Sequence, residues 1–200
     1  VELARDAARE IGYPVVVKAQ VYAGKRGKAG GVRIVDDEEA LDRAVSELLG
    51  SRLLGLTVDA LLVEEKVAID REIYAGVTAD PGARRPVLIV SASGGVDVEE
   101  AAHQRESALT KIDLDILRGV RAYDGLNAVR HVAGLGSRQR LAVAQALVRL
   151  YDLYRAYDCK LAEINPLALS GDRVVALDAR FDIEGDALSR HPDLGIELAE

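Results

Sequence analysis

The chain has 200 residues, of which 49% are apolar and 30% charged, and its formal net charge is −7 at pH 7. This length can bury a substantial core and corresponds to one large domain or two small lobes. The acidic balance argues against a nucleic-acid-binding protein, and the lack of an 18-residue apolar run or a signal-peptide pattern argues against a membrane span or export.

The first segment predicts a helix that ends at a turn. Residues 1–11 place four apolar side chains on one helical face, namely Leu3, Ala7, Ala8 and Ile11. The Gly-Tyr-Pro sequence at 12–14 then stops the helix, because glycine and proline both interrupt helical backbone. The helical pattern is already established at residue 1, so we expect the chain to be part of a longer protein.

Residues 15–35 predict a strand, a basic glycine-rich loop and a returning strand. Strand 15–21 is apolar except at Lys18 and Gln20, which alternation places on one face. The loop contains four glycines and three cations: Gly24, Gly27, Gly30, Gly31, Lys25, Arg26 and Lys28. Glycines let backbone N–H groups approach a ligand and cations supply charge, so the loop suits a polyphosphate. The alternative is a solvated hairpin loop, and a P-loop is excluded because a strand follows instead of a helix.

The next segment completes a first lobe. Acidic residues at 36–39 begin a predicted helix, where they complement the helix dipole. Its apolar stripe consists of Leu41, Val45, Leu48 and Leu49. Gly50 ends the helix, and a strand is expected at 61–65. Because the composition changes at 66–71, we predict a smaller lobe over 1–66 and a larger lobe over 67–200.

The second lobe predicts antiparallel hairpins. Strands are expected at 72–79 and 87–91 around a Pro- and Gly-containing turn. A second pair is expected at 160–169, with an interruption at Pro166, and at 173–178. The fold class is therefore mixed α/β, more closely α+β.

One long helix stands out among less regular segments of the second lobe. Residues 138–157 follow i, i+3/i+4 spacing and include a tyrosine stripe that we expect in the core, at Tyr151 and Tyr154. Residues 97–110 are acidic and predict partial helix, and 111–137 are less regular. The tail 181–200 is expected to be irregular until a short helix near its end.

Oxygen-bearing side chains cluster in the last predicted hairpin. Glu163 and Asn165 are two residues apart, so on a strand they share a face, and Asp178 ends the partner strand. Such ligands suit Mg²⁺, which takes one or two protein oxygens and completes its shell with waters and phosphates. The alternative is an ordinary pair of solvated acids at strand ends beside a turn.

Two further acids, Glu64 and Glu72, lie at strand ends on either side of the 67–71 turn. A carboxylate in that position can accept hydrogen bonds from ribose hydroxyls, or can be a plain exposed acid. The three histidines show no metal-ligand spacing and no catalytic signature, so we assign them no role. The single cysteine, Cys159, excludes a disulfide framework and fits a reducing cytoplasm.

Taken together, these segments resemble the β subunit of succinyl-CoA synthetase. The stretch Val-Val-Lys-Ala-Gln-Val-Tyr-Ala-Gly-Lys-Arg-Gly-Lys-Ala-Gly-Gly-Val at 16–32 looks like its nucleotide-binding segment. The further matches follow in the same order: Leu-Val-Glu at 62–64, Arg-Glu-Ile-Tyr-Ala-Gly at 71–76, Ser-Gly-Gly-Val-Asp-Val-Glu-Glu at 93–100, Ala-Glu-Ile-Asn-Pro-Leu at 162–167 and Leu-Asp-Ala-Arg at 177–180. The resemblance spans nearly the whole chain.

The resemblance implies an ATP-grasp fold, in which two α+β lobes clamp a nucleotide. It implies reversible ligation of a dicarboxylic acid to CoA, a step of the tricarboxylic acid cycle, driven by ATP or GTP with Mg²⁺ in the cytoplasm. In this family the phosphoryl group passes through a phosphohistidine on a partner α subunit. Activity would need that subunit and the family's C-terminal CoA-ligase domain, which lies outside this chain.

The resemblance also implies roles for individual residues. Lys18 matches a lysine that contacts the nucleotide phosphates. The phosphate-covering loop corresponds to Lys25, Arg26 and Gly27. Adenine and ribose contacts correspond to Glu64 and Val67, and a further nucleotide contact corresponds to Glu72. Asn165 and Asp178 match the Mg²⁺ ligands, and Glu163 matches a glutamate that steadies the phosphohistidine at the nucleotide site.

Three positions depart from the family pattern. Lys25 replaces a residue that is small in many relatives, and Arg180 and Asp186 stand where Lys and Asn are more usual. These changes leave a malate–CoA ligase, or a ligase for another acid, as an alternative. A catalytically silent nucleotide-binding or assembly module is a further alternative.

Overall fold

The computed structural model describes residues 1–24, 26–92, 94 and 109–196. The chain divides into two compact units, Val1–Ala68 and Ile69–Glu200. The sequence places the lobe boundary after residue 66, close to the point where these units meet.

In the first unit, the described residues 1–24 and 26–68 form two helices and five strands. In chain order these are α1 (Glu2–Ile11), β1 (Val15–Gln20), β2 (Val32–Val35), α2 (Glu38–Leu48), β3 (Arg52–Leu53), β4 (Leu56–Thr57) and β5 (Ala60–Glu65). Strand β1 is central in a sheet of order β2-β1-β5 and antiparallel to both neighbours, while β3 and β4 form a small separate hairpin. The predicted strand, loop and returning strand are therefore confirmed.

The core of the first unit joins one face of β1 to the two helices. Val15 and Val17 are fully buried with Ala8 of α1 and Leu41 of α2. Helix α2 begins where Asp37 accepts a 2.7 Å hydrogen bond from the Ala40 N–H.

The apolar stripe predicted for α1 is only partly correct. Leu3 is 87% exposed, and Ala8 is the one residue of that helix classed as buried. Leu49, predicted in the stripe of α2, follows the last helical residue and is also exposed. Periodicity alone cannot say which side chains meet a neighbouring element.

The second unit is built on a larger antiparallel sheet. Its elements are β6 (Arg71–Asp80), β7 (Arg85–Ser91), β8 (Leu109–Asp113), α3 (Ala122–Val129), α4 (Ser137–Ala156), β9 (Cys159–Ser170), β10 (Arg173–Ala176) and β11 (Ala179–Ile183), followed by 3-10 turns at Gly185–Arg190 and Pro192–Leu194. The strand order is β10-β9-β6-β7-β8, and β11 also pairs with β9. The predicted β6–β7 hairpin and the long helix α4 are confirmed.

Helix α4 packs on one face of this sheet. Its buried side chains include Leu147 and Tyr151, which join Ile73, Ala75 and Val77 of β6 in one apolar cluster. Because side chains alternate along a strand, Tyr74 and Gly76 lie on the opposite face of β6. Tyr151 and Tyr154 belong to the core, as predicted.

Several predictions for the second unit are wrong. Pro166 does not interrupt β9, which continues through it, and residues 181–183 of the tail, expected to be irregular, belong to β11. Helix α3 and most of strand β8 lie within 111–137, where no regular structure was expected. The first two residues of β8 lie in the segment 97–110, for which partial helix was expected. The rest of the helix predicted at 97–110 lies outside the described residues.

We expect truncation of a buried side chain in α4 to destabilise the second unit strongly. Leu147 is fully buried, so Leu147→Ala should lower the free energy of unfolding by about 2–5 kcal/mol, through lost burial and the resulting cavity. The matched control is Leu117→Ala, because Leu117 is 94% exposed. Urea denaturation of both variants would contradict the assigned core if the two changes cost the same.

Candidate functional site

The glycine-rich loop has a tightly constructed base. The Ala19 N–H donates to the Gly31 carbonyl at 2.7 Å, and the Gly31 N–H donates to the Arg26 carbonyl at 2.8 Å. A Cβ atom at Gly31 would stand 2.5 Å from Leu53 Cδ2 and 3.0 Å from that carbonyl oxygen, so no side chain fits there. Gly30 has φ +81°, which disfavours other residues.

The outer glycines are not constrained in this way. A Cβ atom at Gly27 would meet only Val32 Cγ2, at 4.0 Å, and one at Gly24 would meet nothing within 4 Å. Their lack of side chains is therefore not explained by packing. The sequence-based explanation, close approach of a ligand to the loop backbone, stays a prediction.

One of the cations predicted in the loop, Arg26, contacts the backbone of β1. The Arg26 side chain folds back, and its Nη1 donates to the Ala19 carbonyl at 3.1 Å. Lys25 lies outside the described residues.

Lys18 and Glu64 form an ion pair across the first sheet. Lys18 pairs with Leu62 and Val16 pairs with Glu64, so both charged side chains project from the same face of neighbouring strands. Lys18 is only 7% exposed, and its Nζ is hydrogen-bonded to Glu64 Oε1. The carboxylate supplies a counter-charge to a cation that is largely removed from water.

The remaining predicted nucleotide contacts, Val67 and Glu72, belong to different units. Val67 is half-buried and close to the end of the first unit, whereas Glu72 belongs to β6 of the second unit, opposite Ala168. The Glu72 carbonyl accepts a 3.2 Å hydrogen bond from the Gly94 N–H. A Cβ atom at Gly94 would lie within 2.9 Å of three backbone atoms of Ile73, so this glycine permits the close approach.

Strand β9 changes its pairing at Asn165 and Pro166. On one edge, β11 pairs with β9 up to Ile164 and β10 pairs with it from Leu167. On the other edge, two residues of β9 stand opposite the single residue Tyr74 of β6, which is the arrangement of a β-bulge.

Backbone hydrogen bonds bridge this change of pairing. The Asn165 N–H donates to the Asp178 carbonyl at 2.9 Å, and the Leu177 N–H donates to the Pro166 carbonyl at 3.1 Å. The structure thus makes Asn165 and Asp178 direct neighbours, as the sequence predicts. Both side chains are half-buried.

Glu163 lies two residues before Asn165 and is hydrogen-bonded to Tyr74. The Tyr74 hydroxyl donates to Glu163 Oε2 at 3.0 Å. Burial first, and then the adjacent Glu163 carboxylate, raise the pKa of Tyr74 well above its ordinary value. The phenol therefore remains protonated and able to donate at neutral pH. Sequence reasoning missed Tyr74, although its position two residues after Glu72 on a strand was a signal.

The oxygen-bearing pair could hold a hard divalent cation. Within the described residues, no group of three or more His, Cys, Asp or Glu side chains is arranged for a metal. Asn165 and Asp178 nevertheless offer an amide oxygen and a carboxylate, which is the small donor set that Mg²⁺ uses when waters and phosphates fill its other positions.

The fold defines an α+β protein of two units, with a basic glycine-rich loop in the first and neighbouring oxygen-bearing residues in the second. Residues 1–169 match the ATP-grasp domain family, and the chain belongs to that family. The predicted fold is confirmed.

Relatives extend the likeness over the whole chain. The chain is 45% identical over 201 residues to the succinate–CoA ligase (ADP-forming) subunit beta of Halorubrum lacusprofundi, and 42% identical over 200 residues to the GDP-forming subunit beta of Thermus thermophilus. Each alignment covers 100% of this chain and 52% of the relative, so the chain spans about half the length of these relatives. The predicted resemblance is confirmed.

A solved structure shares the fold. The ATP citrate lyase of Methanothrix soehngenii, in complex with citrate and coenzyme A, superposes with a TM-score of 0.73 at 23% identity, over 98% of this chain and 45% of that chain.

In the described part of our chain, no helix has the length and apolar character needed to cross a membrane.

We expect the base of the glycine-rich loop to be intolerant of a side chain. Gly31→Ala should lower the free energy of unfolding by about 1–3 kcal/mol, because Leu53 and the Arg26 carbonyl crowd the added atom. Gly24→Ala is the matched control and should change stability by less than about 0.5 kcal/mol. Equal effects in thermal or urea denaturation would show that the loop base is not close-packed.

Proposed function

We propose that this chain is the nucleotide-binding part of a succinyl-CoA synthetase β subunit. In the complete heteromer it would transfer a phosphoryl group between a nucleoside triphosphate and a histidine of the partner α subunit. That transfer would couple nucleotide turnover to the formation or cleavage of succinyl-CoA. The observation that carries the proposal is the junction in β9, where Asn165 and Asp178 are joined by a hydrogen bond and Glu163 lies on the same strand.

The predicted site residues would hold the nucleotide. Lys18 would contact the phosphates, and the loop residues Lys25, Arg26 and Gly27 would cover them. Support comes from the outer glycines Gly24 and Gly27, whose missing side chains packing does not explain, and from Lys18, which is paired with an acid instead of extending into water. Glu64 and Val67 would contact the adenine and ribose, and Glu72 would make a further contact with the nucleotide.

The ion pair with Glu64 would hold the Lys18 side chain in position before a phosphate binds. A buried ammonium without a counter-ion is costly, so Glu64 stabilises the charged form before a phosphate arrives. Phosphoryl transfer depends mainly on positioning and charge neutralisation, which this arrangement can supply without a covalent role for the chain.

Asn165 and Asp178 would hold Mg²⁺. The bound ion would neutralise charge on the phosphates. Glu163 would accept a hydrogen bond from the imidazole of the partner's histidine and so orient its other nitrogen towards the γ-phosphorus. The N–P bond would form as the bond between the γ-phosphorus and its bridging oxygen breaks, and the nucleoside diphosphate would leave.

The same proposal includes the protein partner, the other substrates and the cellular location. The α subunit would be the protein partner, and CoA and the dicarboxylic acid would bind to the complete complex. We infer a cytoplasmic location, with support from Cys159, a free and buried thiol of the kind expected in a reducing compartment. Assays with succinate, malate and other dicarboxylic acids would identify the acid.

We expect Lys18→Ala to abolish histidine phosphorylation. Loss of the ammonium should lower the rate of phosphoryl transfer from radiolabelled ATP to the α subunit by at least about 100-fold. Lys111→Ala is the control, because Lys111 is an exposed lysine on β8 and should be dispensable. Normal labelling in the Lys18 variant would remove Lys18 from the proposed site.

We expect Asp178→Asn to impair nucleotide binding only when Mg²⁺ is present. The Kd for Mg-ATP, measured by calorimetry on the intact subunit, should rise at least about tenfold, a size seen even for residues that merely support a metal ligand. Binding in EDTA should change little. Asp172→Asn is the control, because Asp172 is exposed and contacts Arg138.

The calorimetry also tests the proposal as a whole. An intact wild-type subunit that binds no Mg-ATP would favour the catalytically silent module. Equal losses for Asp178→Asn with and without Mg²⁺ would argue against a metal role for that residue.

A further inference from the structure

We propose that Tyr74 is a positioning residue for Glu163, and that Gly76 is required because the tyrosine ring lies across it. The catalytic consequence rests on the proposed function, whereas the contact itself does not. The inference combines three observations: the register of the strands, the position of the ring, and the hydrogen bond to the carboxylate.

The register of β6 and β9 directs Tyr74 to this place. Ile73 pairs with Leu167 and Ala75 pairs with Ile164, so Tyr74 stands alone opposite two residues of β9. A bulge of this kind bends the strand and re-aims the side chains next to it. Tyr74 is therefore held beside the segment that carries Asn165, on the sheet face opposite α4.

The ring of Tyr74 covers Gly76. A Cβ atom at position 76 would lie 2.6 Å from Tyr74 Oη, 3.0 Å from Cζ and 3.2 Å from Cε1. Gly76 is also the residue paired with Glu163 on β9. The phenol thus crosses over Gly76 to reach the carboxylate, and any side chain at 76 would occupy its path.

The hydrogen bond engages one carboxylate oxygen. Tyr74 Oη donates to Glu163 Oε2 at 3.0 Å. A carboxylate can accept at both oxygens, so Tyr74 can restrain Oε2 while Oε1 accepts from a partner's imidazole. On the other side of β9, Arg180 stands opposite Glu163 and is exposed.

The function of this arrangement is preorganisation. A glutamate has several rotatable bonds, and a neutral donor to its charged oxygen limits the positions that the carboxylate can take. Because the neighbouring residues Ile73 and Ala75 are fully buried, the position of Tyr74 on the strand is also restrained. The pair is a rigid acceptor built from two strands.

We expect Tyr74→Phe to slow phosphoryl transfer without weakening nucleotide binding. In the complete heteromer, the single-turnover rate of partner-histidine phosphorylation should fall roughly tenfold or more, the equivalent of one charge-assisted hydrogen bond, while the Kd for Mg-ATP stays within about twofold. Gly76→Ala should lower the same rate, because its Cβ displaces the phenol. Tyr123→Phe is the matched control, since its hydroxyl accepts from Arg118 elsewhere on the second unit.

A double-mutant cycle distinguishes positioning from general loss of structure. Combining Tyr74→Phe with Glu163→Gln should slow the reaction no more than Glu163→Gln does alone, because both changes disrupt the same charge-assisted hydrogen bond. Independent, multiplicative effects would overturn the inference, as would an unchanged rate for Tyr74→Phe in a heteromer whose wild type is active.

A spectroscopic measurement separates this inference from the proposed function. With tyrosine labelled at Cζ, the carbon-13 resonance of Tyr74 is identified by its absence in Tyr74→Phe. It should shift in Glu163→Gln and in Gly76→Ala, because the phenol loses its charged acceptor. A heteromer that transfers no phosphoryl group would refute the proposed function, whereas a resonance insensitive to both variants would refute the Tyr74–Glu163 contact.

Discussion

Along one edge, strand β9 pairs first with β11 and then with β10, and the candidate site depends on this change of partner. Strands β10 and β11 each cover half of that edge, and the hydrogen bonds from Asn165 to Asp178 and from Leu177 to Pro166 join the halves. Because these bonds are between backbone groups, they hold Asn165 next to Asp178 independently of what the two side chains contact. Asn165 belongs to β9, and Asp178 lies in the short link between β10 and β11.

The buried face of the same sheet supports this geometry. Ile73, Ala75 and Val77 are fully buried under helix α4, so the alternate residues of β6 have little freedom to move. The bulge opposite Asn165 and Pro166 then places Tyr74 next to Glu163. In the first unit, the buried face of β1 has the same effect on Lys18, whose charge is compensated by Glu64.

Prediction from sequence succeeded where the signal was local. The amphipathic period of α4, the hairpin of β6 and β7 and the loop between β1 and β2 each lie within one short segment, and the structure contains all of them. It failed at β11, a short strand that is stable only because β9 provides a partner. Pro166 was misinterpreted for a related reason, since a proline can continue a strand where the pairing is already irregular.

The features of the candidate site can likewise be separated into those with a local sequence signal and those that depend on tertiary structure. The sequence by itself determined that Glu163 and Asn165 belong to one strand and that a glycine-rich basic loop precedes them. It placed Asp178 at the end of the hairpin partner, whereas that strand ends at Ala176 and Asp178 lies in the link to β11. Only the tertiary structure decided that Lys18 pairs with Glu64 and that Tyr74 reaches across Gly76 to Glu163. These contacts join strands far apart in the chain. Their register is set by the packing of whole sheets, which no local pattern of residues encodes.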